Sequence, residues 1–181
     1  QLCLDNPREK CPHASYIDPI YKAIMEADAL IFTTPHYGGS SMTGSMKNLL
    51  DHLDFFTLTV SPRKEMFGQK AFILTTGTGS TSAVKQIEKC LKGWGINRVS
   101  SAGIKMFTNK WDKMPIKKQK SLEKRLVKAA RNFYSMKKKT PYASSVFMYY
   151  INKFIISKYM GVGSYPFEYW KENGYFDKCP F

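Results

Sequence analysis

Short unbroken apolar runs alternate along this chain with segments of helical period. Residues 28–34 (Asp-Ala-Leu-Ile-Phe-Thr-Thr) and 70–76 (Lys-Ala-Phe-Ile-Leu-Thr-Thr) are rich in β-formers and show no polar alternation. That pattern predicts strands buried on both faces of a parallel sheet. A third strand is predicted from Arg98 to Met106, interrupted by Gly103. Asp18-Pro19 signals a helix start, with Ile20, Ala23, Ile24 and Ala27 on one face. Thr43 can cap a second helix with Met46, Leu49, Leu50 and Leu53 inward. A third carries Val84, Ile87 and Leu91 and ends at Gly93 and Gly95. A fourth runs from Pro115 to Met136 with Leu122, Leu126, Ala129, Ala130 and Phe133 inward.

Helix and strand alternating at this spacing mean βαβ units and an α/β fold with a doubly wound parallel sheet. Three strands are fewer than such a sheet normally has, and the chain opens on Gln1 rather than Met. A first strand is therefore expected upstream of residue 1. The expected organisation is one main domain over residues 1–139 and a C-terminal helical, aromatic extension over residues 140–181. The run from Val146 to Met160 is too apolar to be left in water, and it is expected to pack on the main domain or across a dimer interface.

Charge changes the picture. The net charge is +14, and residues 105–139 hold 13 Lys/Arg against two acids, Asp112 and Glu123, while residues 1–104 are near neutral. This segment reads in three ways. It is a solvated outer helix face, an attractor of anionic cofactor phosphates or an acidic redox partner, or an adhesive surface for anionic lipid beside the aromatic stretch from Tyr142 to Tyr150. No nucleic-acid-binding motif accompanies it, and no nucleic-acid partner is expected. No apolar run reaches the roughly 18 residues of a membrane span. Four widely spaced cysteines, Cys3, Cys11, Cys90 and Cys179, read as thiols of a reducing compartment, so the expected location is the cytoplasm.

Candidate chemistry lies in two loops. In open α/β sheets ligands bind outside the carboxyl ends of the strands, which here are residues 33–44 and 75–82. Both loops are rich in Gly and hydroxyls, and both lead into helix N-termini whose free N–H groups favour an electron-rich ligand. Gly38 and Gly39 let backbone lie against a flat ring, and His36 and Tyr37 offer planar side chains. Ordinary βα turns would read the same way. A phosphate loop of the G-x-x-x-x-G-K type is absent, and Gly77-Thr78-Gly79 lacks the third glycine of a dinucleotide fingerprint. Cys3, Cys11 and His13 lack a partner pair at metal spacing, Ser40 lacks the nucleophile-elbow context, and Asp51 and His52 point to different helix faces. No catalytic acid, base or nucleophile and no metal ligand is assigned.

The stretch from Ala27 to Leu53 resembles the NAD(P)H-dependent FMN reductase family of the flavodoxin-like superfamily. The resemblance rests on a buried strand, Thr34-Pro35-His36-Tyr37, a Gly/Ser loop with Met42-Thr43-Gly44, and the helix Lys47-Asn48-Leu49-Leu50-Asp51. Residues Lys70 to Ser82 and Gly93-Trp94-Gly95-Ile96 are similar to that family's next strand, glycine loop and turn. The tail from Tyr169 to Lys178 is similar to tails of uncharacterised members.

The resemblance implies a flavodoxin-like fold with bound FMN and NADPH or NADH as co-substrate. It points to Thr34, Pro35, His36, Tyr37, Gly38 and Gly39 against the isoalloxazine, and to Thr76, Gly77, Thr78 and Gly79 at the pyrimidine edge and ribityl chain. The family's phosphate-binding loop has no counterpart in residues 1–181, and the four cysteines of an iron–sulfur subset are not present. The implied activity is hydride transfer from NAD(P)H through the flavin to a small-molecule acceptor such as a flavin or quinone, in a homodimer. His36 either faces that second substrate or is a plain loop residue. A flavodoxin-type electron carrier and a flavin-free interaction or membrane-surface module are the alternatives, the first disfavoured by the +14 charge.

Overall fold

A computed structural model of the chain describes residues 10–36, 41–77, 81–108, 110–137 and 143–181. The elements run α1 (Ala14–Glu26), β1 (Ala29–Pro35), α2 (Gly44–His52), a 3-10 turn (Asp54–Phe56), α3 (Lys64–Gly68), β2 (Lys70–Gly77), α4 (Thr81–Gly93), β3 (Arg98–Lys105) and α5 (Ile116–Tyr134). Then come α6 (Ala143–Ile155), a π-helical turn continuing it (Ile156–Met160) and α7 (Tyr165–Glu172). The strands form one parallel sheet in the order β1-β2-β3, with Ala29 opposite Lys70 and Lys70 opposite Arg98. Alternating strands and helices, with helices on both faces, make this a flavodoxin-like arrangement with added C-terminal helices.

Side-chain alternation sorts the sheet into two faces. One presents Leu30, Phe32, Ala71 and Ile73 to a core built with Ile24, Leu50, Leu53, Ile87, Leu91 and Trp94. The other is covered by α5, through Leu122 against Ile104 and Leu74, and Phe133 against Phe72 with ring centroids 5.5 Å apart. α4 ends as its sequence implies. Ile96 N–H returns to the Leu91 carbonyl and Gly95 N–H to that of Lys92, both at 3.0 Å, a Schellman closure. Gly95 has φ +89, and a Cβ there would overlap the Phe67 ring.

Two expectations are corrected. β1 is not buried on both faces. Ile31 is 66% exposed, with Thr33 and Pro35 exposed beside it. β1 is an edge strand of this sheet, and α5, which packs on β2 and β3, leaves that half of the face open. α1 starts at Ala14, so Pro19 lies inside it rather than opening it. The His13 carbonyl accepts from Tyr16 and Ile17 N–H and so takes up the first turn. Its inward residues are Ile17, Tyr21, Ile24 and Met25, while Ile20 and Ala23 face out.

Long-range polar ties collect at the start of β2. Gln69 Nε2 donates to the Ile24 and Ala27 carbonyls at the end of α1. Lys70 Nζ donates to the Phe133 and Tyr134 carbonyls, both at 3.0 Å, placing a cation at the negative end of α5. The C-terminal helices dock beside these residues. Tyr169 and Tyr175 hydroxyls donate to the Pro62 carbonyl at 2.9 and 3.2 Å, and Phe181 packs on Phe67. Tyr149, Ile156, Trp170 and Tyr175 form a separate small core, with Tyr149 stacked on Trp170 and donating to the Tyr175 carbonyl at 2.7 Å. No helix among the described residues is long and apolar enough to cross a membrane.

Burial pushes the Tyr149, Tyr169 and Tyr175 phenols above the usual tyrosine range. A raised folded pKa means that docking of the extension is fully stabilised below about pH 10 and weakened as pH rises through the shifted values. In an alkaline titration followed by phenolate absorbance, three of the 11 tyrosines should ionise late and together, as the extension releases. All tyrosines titrating in one step near the ordinary value would contradict this docking.

Candidate functional site

The three strands end level with one another, so the loops that follow them meet at one end of the sheet. Thr34 pairs with Thr75, Pro35 with Thr76, and Gly77 with Lys105. The ladders continue beyond β1 and β3. His36 N–H donates to the Thr76 carbonyl at 2.7 Å, and Met106 N–H donates to that of Gly77 at 3.1 Å.

Gly77 makes this close approach possible. Its φ is +142, a conformation that L side chains rarely adopt, and a Cβ there would lie 2.8 Å from the His36 carbonyl oxygen and 2.9 Å from His36 Cβ. The base of the first loop is tied by threonines. Thr43 N–H donates to Thr34 Oγ1 at 3.3 Å, and the two hydroxyls are 3.3 Å apart. Thr43 in turn accepts from Met46 N–H at 3.3 Å and caps α2, as its sequence position implies. The buried Thr34 hydroxyl also donates to the Pro35 carbonyl at 3.0 Å.

Two polar groups at this end are buried without partners. Both ring nitrogens of His36 are shielded from water and make no hydrogen bond among the described residues. The Thr75 hydroxyl, fully buried, is in the same state. Leaving such groups unpaired costs on the order of 1–3 kcal/mol each, and native structures seldom tolerate it without a bound partner. An imidazole and a hydroxyl without partners among the described residues suit a ligand with hydrogen-bonding edges at this end of the sheet.

Of the residues singled out in the sequence, Thr34, Pro35, His36, Thr76 and Gly77 come together at the ends of β1 and β2. Tyr37, Gly38, Gly39, Thr78 and Gly79 lie outside the described residues. Thr43 and Thr75 were not singled out as site residues. The capping signal marked Thr43, and the position of Thr75 opposite Thr34 follows only from the strand register. Elsewhere, His13 Nδ1 and His52 Nε2 are 2.8 Å apart, and His52 Nδ1 lies 2.8 Å from the Asn48 carbonyl oxygen. Among the described residues no group of three or more His, Cys, Asp or Glu side chains is placed to hold a metal ion.

The family model that matches this chain is described as NADPH-dependent FMN reductase, and the match spans residues 1–110. The chain belongs to this family. Membership assigns it a general reductase-type oxidoreductase role and an association with FMN and nicotinamide. No curated protein matches the chain at a significant level. The matched segment contains all three strands and ends before the basic α5, so both loops of the candidate site fall within the FMN reductase portion.

Gly77→Ala tests the local geometry. A side chain at this φ and clearance should cost on the order of 1–3 kcal/mol in a urea melt, because the backbone of His36 must move. Stability within a few tenths of a kcal/mol of the parent would contradict the contact between Gly77 and His36.

Proposed function

We propose that the protein is an FMN-dependent NAD(P)H oxidoreductase that binds the flavin at the carboxyl ends of β1 and β2 and reduces a small acceptor, a flavin or a quinone. The observation that carries the reading is the pair of unpartnered His36 nitrogens beside Gly77, inside the segment matched to the FMN reductase family. FMN held there would supply the redox chemistry, hydride acceptance from the nicotinamide and electron delivery to the acceptor.

The protein's own part is to hold and orient. The missing Cβ at Gly77 lets His36 pack directly on the end of β2, and His36 brings there two ring nitrogens that have no partner among the described residues. The Thr34–Thr43 tie holds the end of β1 against the start of α2. Backbone N–H groups at the loop and at the α2 N-terminus favour negative charge building on a reduced ring. This chemistry requires no side-chain acid or base, in line with the lack of such a constellation in the sequence. The +14 charge suits anionic NADPH and weighs against a flavodoxin-type carrier working with basic partners.

The test is a visible absorption spectrum of the intact protein, loaded with FMN and then titrated anaerobically with NADPH and NADH. Flavin uptake followed by rapid bleaching by either nucleotide is expected. Bleaching only with an added reductase would overturn direct nicotinamide oxidation, and failure to take up FMN would overturn the flavin site.

A further inference from the structure

The helix α6 and its π-helical turn are apolar on more than the side they bury. The side packed on the protein holds Ser145, Tyr149, Asn152 and Ile156, at the i, i+4, i+7, i+11 spacing of one helical face. Two of these anchor by hydrogen bonds, Asn152 Oδ1 accepting from the Thr59 hydroxyl at 3.3 Å and Tyr149 donating to the Tyr175 carbonyl. The opposite face is mostly aromatic and is not covered by the described residues. Phe147 is 64%, Phe154 55% and Tyr159 68% exposed, with Met148 and Tyr150 exposed beside them. A helix packed on a core normally turns polar residues to that side.

Cations frame this face, and acids are missing from it. Lys158 Nζ lies 5.3 Å from the Phe154 ring centre and 5.7 Å from that of Tyr159. Lys153 lies at the rim, between the two faces. From residue 124 to residue 167 the chain has nine Lys/Arg and no Asp or Glu. The end of the basic α5 belongs to the same region. Its last turn is held by Lys70 at the start of β2, beside Pro62 and Phe67, where the C-terminal helices dock. That is the opposite end of β2 from Gly77.

We propose that α6 and its π-helical turn dock the protein on an anionic lipid surface, with Phe147, Tyr150, Phe154 and Tyr159 entering the boundary between headgroups and acyl chains. This inference goes beyond the redox reading and does not depend on it. A bilayer supplies an apolar layer for the rings with anionic groups just above it, at the height reached by lysine ammoniums on long stems. A second copy of this chain supplies the apolar layer but the wrong charge. A two-fold pairing through this face gathers four lysines, two from each copy, with no Asp or Glu on α6 or its π-helical turn to answer them. Docking here leaves the far end of the sheet, with His36 and Gly77, open to small molecules.

Flotation of the intact protein with vesicles tests this, comparing phosphatidylcholine alone with phosphatidylcholine containing about a third phosphatidylglycerol. Binding to the anionic vesicles only, weakened by salt, is expected. The triple variant Phe147→Ser, Phe154→Ser, Tyr159→Ser should bind at least roughly tenfold more weakly, and Lys153→Glu with Lys158→Glu should also lose binding. Unchanged thermal unfolding and FMN uptake in both variants would show that folding and the redox site are not the cause. Vesicle binding indifferent to the aromatic triple would overturn the proposal. So would a dimer that ignores vesicles and falls apart to monomers in that variant.

Discussion

The described elements are all referred to β2, which among the described residues is the strand hydrogen-bonded on both sides. It pairs from Lys70 to Gly77 with β1 and β3 in matching register, so whatever is fixed at either of its ends is fixed relative to the whole sheet. At its start, Gln69 and Lys70 close the ends of α1 and α5. Just before it, Pro62 and Phe67 receive the C-terminal helices. At its far end, Gly77 permits the chain to bring His36 across the top of the sheet. One rigid strand thus separates two surfaces of different chemistry: a loop end with unpartnered hydrogen-bonding groups, and a cationic, aromatic end.

That separation has a functional consequence. In the function proposed above, the redox site admits two small molecules in turn, and a larger partner covering it would block them. Placing the adhesive groups at the opposite end of the strand meets that requirement without any moving part. It also gives distinct roles to the two halves of the charge distribution. The near-neutral residues 1–104 build the sheet and the loop site, whereas the excess cations are concentrated after them.

The sequence was most legible where structure is local. Unbroken apolar runs marked β1 and β2, and Thr43, Gly93 and Gly95 marked helix ends, because capping and strand burial leave their signature within a few residues. What stayed hidden depends on partners far along the chain. The bare face of β1 follows from sheet order, which an apolar run does not encode. Pro19 looked like a helix start because the hydrogen bonds that open α1 at His13 leave no sequence signature. The docking of Tyr169 and Tyr175 on Pro62 spans more than a hundred residues. The exposed aromatic face of α6 was legible only as an apolar run, since nothing local tells which side of such a helix will be covered.

The proposed flavin site puts His36 against the flavin at the end of β1. The chain has three histidines, His13, His36 and His52, so the ring nitrogens give a small, assignable set of nitrogen-15 resonances. FMN added to the intact protein should shift the two ring nitrogens of His36 and leave those of His13 and His52, which already face each other, unmoved. Flavin that binds while His36 stays unshifted would contradict the account.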